Sequence, residues 1–275
     1  MVKCLNLGCG SRFHPDWVNL DLHPSSRAVQ QWDLQKEFPF PDGWFDVVYH
    51  SHVLEHFSQQ NGLRFLERCR KVLRPEGIIR VVVPDLEKIV EFYRHAFNNA
   101  LNREQDPQFY YDWAIIEMYD QTVREFSGGE MVQFVRKATP SQLTFLKARL
   151  GGELDRMLPT AGHASEASPN RISLGDRLRM SLGDRFRRRV LRLLVGSEGL
   201  AAYDRGKFRS SGEVHNWMYD RYSLARALES VGFAETKQVG PSESRVANWS
   251  GFNLDTEPDG RVYKPDSLYM EAIKL

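Results

Sequence analysis

Three observations predict an α/β fold, doubly wound about a mostly parallel sheet, with a helical insertion before the last two strands. Over residues 1–85, short buried strand patterns alternate with turns and one helix; strand patterns then vanish until about residue 211; finally two more follow. Strands that alternate with helices build parallel sheets with right-handed crossovers.

Lys3–Leu7 is an apolar strand that runs straight into Gly8-Cys9-Gly10. Trp17–Leu22 and Ala28–Trp32 are the second and third strands, and Phe45–His50 (FDVVYH) follows the turn residues Pro41, Asp42 and Gly43. Gly62–Leu73 carries apolar residues at helical spacing and stops at Arg74-Pro75-Glu76-Gly77, before the β-branched strand Ile78–Val83. Helical periodicity then covers 86–101, 107–126, 140–150 and 173–195, with the small polar stretch Pro159–Asn170 read as a loop. The helix Tyr222–Ser230 and the strands Ala234–Val239 and Ser267–Lys274 complete the sheet. Residues 1–85 and 215–275 are thus expected to form the core, and 86–214 an inserted lid.

Charge excludes one class of partner. The 37 basic and 36 acidic residues nearly cancel, so no nucleic-acid partner is expected. No run of about 18 apolar residues spans a membrane, and the start MVKCLNLGCG lacks a signal-peptide pattern. The spacing of Cys4, Cys9 and Cys69 fits neither disulfides nor zinc, and a reducing cytoplasm is expected.

One repeat stands apart. Ser173–Met180 and Ser181–Arg188 are similar octets, and Leu174, Leu178, Leu182, Phe186, Val190 and Leu194 fall four apart. Arg177, Arg179, Arg185, Arg187, Arg188, Arg189 and Arg192 fill much of the remainder. This is either a solvated helix packed on the domain or a basic amphipathic helix that meets an anionic membrane at the inner face.

The turn Gly8-Cys9-Gly10 removes side chains where a ligand approaches backbone. A dinucleotide fingerprint would need a small residue at Phe13, and the seven residues from Ser11 to Trp17 leave no room for a phosphate-binding helix. No P-loop lysine follows. A ligand with ribose but no phosphate fits better, with Asp21 at a strand end to accept its hydroxyls. Asp33 and Leu34 offer a carboxylate and an amide at the sheet edge.

LNLGCG, NLDL, DLQKEFPFPDGWFDVVYHSHVLEHF and KVLRPEGIIRVVVPD together resemble the class I SAM-dependent methyltransferases of the small-molecule type. The resemblance covers residues 3–86 and is most specific through PFPDGWFDVVYHSHVLEHF. His215–Tyr219 with Gly232-Phe233, and then Lys264–Tyr269, resemble a subgroup found among glycan and polysaccharide genes. The resemblance implies a Rossmann-like, seven-stranded sheet whose last strand runs antiparallel. It also implies S-adenosyl-L-methionine (SAM) as cofactor, with Gly8 and Gly10 along the methionine, Asp21 on the ribose, and Asp33 and Leu34 framing adenine. Ser51 would close the site, and Asn6 stands where the family more usually has an acid.

Methyl transfer needs a positioned acceptor and, for a hydroxyl, a base. His50, His52, Glu55, His56 and Asp85 lie at strand C-termini, and His52 is the first choice. Glu55 and His56 follow at i+3 and i+4 on a helical face; the face suits capping or a buried bond, it could hold a metal, and none is expected. Asp85 either binds acceptor or caps the next helix. His215 and Tyr219 return toward the cleft after the insertion. Phe92, Tyr93, Phe109, Tyr110, Tyr111 and Trp113 are read as helix core, part of which would form a lid. The expected function is methylation of a small-molecule or glycan acceptor at oxygen; the rivals are N- or C-methylation of a metabolite and a non-catalytic SAM-binding regulator.

Overall fold

The computed structural model describes residues 2–103, 106–158 and 182–275, with side chains of the last stretch from Phe186 onward. Seven strands form one sheet in the order β3-β2-β1-β4-β5-β7-β6. They are β1 (Cys4–Leu7), β2 (Val18–Asp21), β3 (Val29–Gln31), β4 (Phe45–Ser51), β5 (Leu73–Pro84), β6 (Phe233–Gln238) and β7 (Ser267–Lys274). β1 to β5 pair in parallel, whereas β7 lies between β5 and β6 and runs antiparallel to both. This is the Rossmann-like sheet that the sequence implied, and the glycine turn falls at the strand C-termini where such sheets bind ligands.

Alternation along each strand sorts side chains to two faces. Leu5, Leu7, Val48, Val81, Val83 and Met270 point to one face and pack with Phe65, Leu66 and Leu228. Those last residues belong to α1 (Gln59–Val72) and α8 (Arg221–Ser230), capped by Ser58 and by an Asp220–Ser223 capping box. The other face is covered differently. The first three crossovers carry no helix, and the segment 239–266 packs there instead, placing Val246, Trp249 and Leu254 against Trp17, Val47, Tyr49 and Val82. Trp17 meets Tyr49, Trp249 and Phe252 edge to face with centroids 5.1–6.2 Å apart.

Between β5 and α8 the regular elements among the described residues are helices: α2 (Leu86–Leu101), α3 (Pro107–Val123), α4 (Gly129–Lys137), α5 (Pro140–Leu150), α6 (Glu153–Met157) and α7 (Leu182–Arg209). Phe109, Trp113, Met131, Val135, Leu146 and Leu150 give this part its own apolar cluster. The loop expected at Pro159–Asn170 and the first octet of the repeat, with Leu174 and Leu178, lie outside the described residues. α4 and α6 were not anticipated, being too short for a periodic signal.

From Leu182 the arginine-rich stretch is helical up to Gly196, in line with the helix expected over 173–195, and a second, unexpected helix follows. α7 is two helices meeting at Gly196 (φ 71, ψ −173), and Arg188 donates two hydrogen bonds to Asp204 at 2.6 and 2.5 Å across that break. The pair folds the halves into a hairpin. Phe186 and Leu194 of the apolar stripe are exposed, as is Leu193 beside the break at 82 %, and Val190 is half-buried, so these described positions are not packed into the core.

Candidate cofactor and acceptor site

β1 ends on the fully buried Leu7, and the chain turns with Gly8 at φ 64 and Gly10 at φ 54. Positive φ favours glycine at both positions. A side chain on Gly8 would strike Val53 and approach Leu34, whereas one on Gly10 would meet no atom within 4 Å. Gly10 therefore opens a cradle. Its N–H donates to Asp21 Oδ2 at 2.8 Å, and His23 N–H donates to Asp21 Oδ1 at 2.8 Å, which holds the half-buried carboxylate at the end of β2. Asp33 accepts from Gln35 N–H at 2.9 Å in a local turn, and the Leu34 carbonyl accepts from Arg68 at 2.8 Å while its side chain packs on the core.

A small cavity of about 160 Å³ beside this turn is lined by Asn6, Gly8, Gly10, Ser51 and His52 among others. The open cradle at Gly10, with an acid at the end of β2 and an apolar residue at the edge, fits SAM. Asp21, Asp33 and Leu34 lie beyond this cavity's lining.

Asn6 has a further task. Its Nδ2 donates to the Arg12 carbonyl at 3.0 Å and to Asn19 Oδ1 at 3.2 Å, and Asn19 in turn donates to the carbonyls of His14 and Trp17. Two buried amides thus fold the short first crossover where a helix is absent. Arg12 reaches out of that loop to Glu257 and the Thr256 carbonyl and stacks 3.9 Å over Tyr263. Arg12, Tyr263, Lys264 and Arg156 complete the wall. The sequence did not reveal them, because they come from three distant segments.

A second cavity of about 510 Å³ opens between the rim and the insertion, lined by His52, His56, Glu117, Gln121, Arg124, Arg156, His215 and Lys264 among others. His52, Arg156 and Lys264 line both cavities. His52 sits just past β4 at φ 54, an uncommon conformation for a side chain of this size. Its Nδ1 lies 3.3 Å from Glu55 Oε1 and its Nε2 is 2.8 Å from the Ser267 hydroxyl. Backbone strain of this kind gathers at functional sites.

The other histidines differ. His50 is wholly buried against Phe65, with both ring nitrogens unpartnered, and burial pulls its imidazole down to about 4. It faces the core and is no base. His56 and His215 stack edge to face at 4.8 Å on this second cavity. Burial pulls the His215 imidazole down to about 3. Burial pushes the Glu55 carboxyl up, but His52, His56 and His215 outweigh it and hold it below the usual carboxylate range.

Of the two roles expected for Asp85, the structure shows the helix cap. It is 2 % exposed, accepts from Glu87 N–H at 3.1 Å and Lys88 N–H at 3.4 Å, and does not line either cavity. Tyr219 is buried beside it, and its carbonyl accepts from Leu86 N–H. None of Phe92, Tyr93, Phe109, Tyr110, Tyr111 and Trp113 lines the second cavity; Phe109 and Trp113 belong to the insertion's own core.

Residues 5–81 match the model of a family described as a methyltransferase domain. No curated protein matches the chain. A SAM-dependent methyltransferase from Archaeoglobus fulgidus is similar at 11 % identity, covering 99 % of this chain and 86 % of that one, with a TM-score of 0.39. A SAM-dependent methyltransferase from Thermotoga maritima, described as a possible histamine N-methyltransferase, gives 11 % identity, 100 % and 83 % coverage and a TM-score of 0.38. The trans-methyltransferase CalH in complex with SAH gives 22 % identity, 30 % and 31 % coverage and a TM-score of 0.25. With the domain match seated on the glycine turn and its sheet, this is a SAM-dependent methyltransferase, and SAM is its cofactor.

Proposed function

We propose that the enzyme methylates a hydroxyl of a small polar acceptor, a sugar or glycan, with His52 as the base. The observation that carries this reading is the position of His52 where the cofactor cavity and the acceptor cavity meet. When bound, SAM supplies an electrophilic methyl group on a sulfonium. Glu55, beside Nδ1, orients the imidazole, and Nε2 takes the acceptor proton once the acceptor hydroxyl replaces that of Ser267. Asp21 holds the ribose, Gly8 and Gly10 flank the methionine, Asp33 and Leu34 frame adenine, and Ser51 closes the site. Glu117, Gln121, Arg124, Glu213 and Asp266 give the acceptor cavity a polar lining suited to a polyol. Residues 86–214 act as the lid that excludes water.

The hairpin apex supports peripheral contact with an anionic membrane, because exposed leucines there are flanked by Arg187, Arg189 and Arg192. Among the described residues no helix is long and apolar enough to cross one. The test of the reading is mass spectrometry of candidate glycans incubated with labelled SAM. Label on a sugar oxygen with formation of S-adenosylhomocysteine is expected; label on nitrogen or carbon, or no turnover with any acceptor, overturns it.

A further inference from the structure

We propose that Glu55, His56 and His215 form a site for a divalent first-row transition cation, zinc foremost, at the wall of the acceptor cavity. One ligand atom from each lies within 4.8 Å of the others. Glu55 has no exposed surface, and neither of its carboxylate oxygens has a hydrogen-bond partner. A buried carboxylate left so is expensive unless a cation stands close to it. His52 Nδ1 stands 3.3 Å from Oε1 but outside hydrogen-bond alignment.

The backbone fixes this grouping. Asn216 and Trp217 N–H donate to the Glu55 carbonyl at 2.7 and 3.1 Å, and Asn216 Nδ2 donates to the His56 carbonyl at 2.7 Å. His215 is therefore stapled to the turn that carries its two partners. His56 Nδ1 lies 3.3 Å from the Val214 carbonyl, which favours the Nδ1–H tautomer and leaves Nε2 free to ligate. Gln121 faces His215 Nε2 at 3.3 Å; with the amide turned so that its oxygen accepts from Nε2–H, His215 Nδ1 keeps its lone pair for the cation.

Two imidazoles and one carboxylate suit zinc, manganese or iron, whereas magnesium prefers oxygen ligands. Bonds of about 2.0–2.1 Å in a tetrahedral site put ligand atoms roughly 3.3 Å apart, so small side-chain rotations close it. Three protein ligands leave a position open, and His56 and His215 both line the cavity. There the cation would lower the pKa of an acceptor hydroxyl; this last role rests on the methyl-transfer reading, but the site itself does not.

The experiment is titration calorimetry of the full chain, stripped with chelator, against zinc, manganese and magnesium chlorides. Expected is one zinc per chain with a Kd tighter than about 1 µM, little response to magnesium, and a rise in Tm with zinc. Glu55→Gln and His215→Gln should each weaken zinc by about 100-fold or more while circular dichroism stays native. Should one variant fail to fold, the other and His56→Gln decide. Absence of saturable zinc or manganese binding by wild type overturns the proposal, whether or not SAM is turned over. So does zinc affinity unchanged in the folded variants; Glu55 is then compensated by a proton shared among the imidazoles.

Discussion

Arg80 on β5 and Asp255 in the 239–266 segment meet at 2.8 Å, Nε to Oδ2, where the arginine side chain has no exposed surface. Every N–H of Arg80 is used: its terminal nitrogens donate to Glu271 Oε1 and to the carbonyls of Gly240, Pro241 and Glu243. Tyr49 donates to the other Asp255 oxygen, and Trp249 stacks 4.4 Å from the guanidinium. One planar cation thus clamps the 239–266 segment to the sheet. Arg80→Lys is expected to cost about 3–5 kcal/mol, because lysine offers three donors without the fork and leaves buried acceptors bare. Urea unfolding measures it; a loss below about 1 kcal/mol would show that the clamp is dispensable.

Asp21→Ala should weaken SAM by about 10–100-fold, since hydrogen bonds to a charged acceptor contribute about 1.5–3 kcal/mol each. The Gly10 N–H would lose its partner, yet the rim position keeps the fold native. Calorimetry with SAM checks this, and an unchanged Kd in a folded variant removes Asp21 from the ribose.

The φ of 54 at His52 makes asparagine a better probe than alanine, because asparagine tolerates that conformation. His52→Asn should lower turnover by about 10²–10⁴-fold and leave the SAM Kd unchanged. Near-normal turnover would leave the acceptor without need of this base.

His50 ties stability to pH. Its folded imidazole takes a proton only near pH 4, against about 6.5 in the unfolded chain. The unfolded state therefore gains protons first, and stability present above pH 6.5 is lost as pH falls toward 4, by up to about 3 kcal/mol. Replacing it by leucine should flatten this dependence. Urea midpoints at pH 7 and pH 5 compare the two; equal acid losses would mean that His50 is not the sensor.

The hairpin gives the fifth prediction. Anionic vesicles should co-sediment the protein and neutral ones should not, with release at high salt, each basic residue contributing about 1 kcal/mol. Arg187, Arg189 and Arg192 changed together to glutamate should abolish binding; Arg188 is left in place because it closes the hairpin on Asp204. Wild type that stays in the supernatant at low salt ends the membrane reading.

Much of this fold was legible because local signals agreed with it. Residues 86–101 and 140–150 were read to the residue: a capping aspartate and an apolar period mark the first, and Pro140 and Gly151 bound the second. β5 begins at Leu73, five residues before the expected Ile78, since Arg74–Gly77 reads as a helix stop and yet continues into the sheet. The glycine turn, Ser51 and His52 could be placed because each adjoins a recognisable strand. Arg12, Tyr263 and Arg156 could not, because only tertiary packing brings them to the site. The second half of α7 was equally silent: the helix read over 173–195 stops just before Gly196, and none was read beyond it.

The position of β7 has a consequence for synthesis. The edge of β5 that β7 fills stays open until residues 267–274 are made, and Arg80 waits for Glu271, 191 positions later in the chain. At 5–20 residues per second that interval is roughly 10–40 s. During it the emerging protein presents a bare strand edge and a cation destined for burial, the combination that invites pairing with a neighbouring chain. Ribosome-associated chaperones should therefore matter more to the yield of this enzyme than its final stability does, and slowed translation at low temperature should prolong the exposure as it calms aggregation.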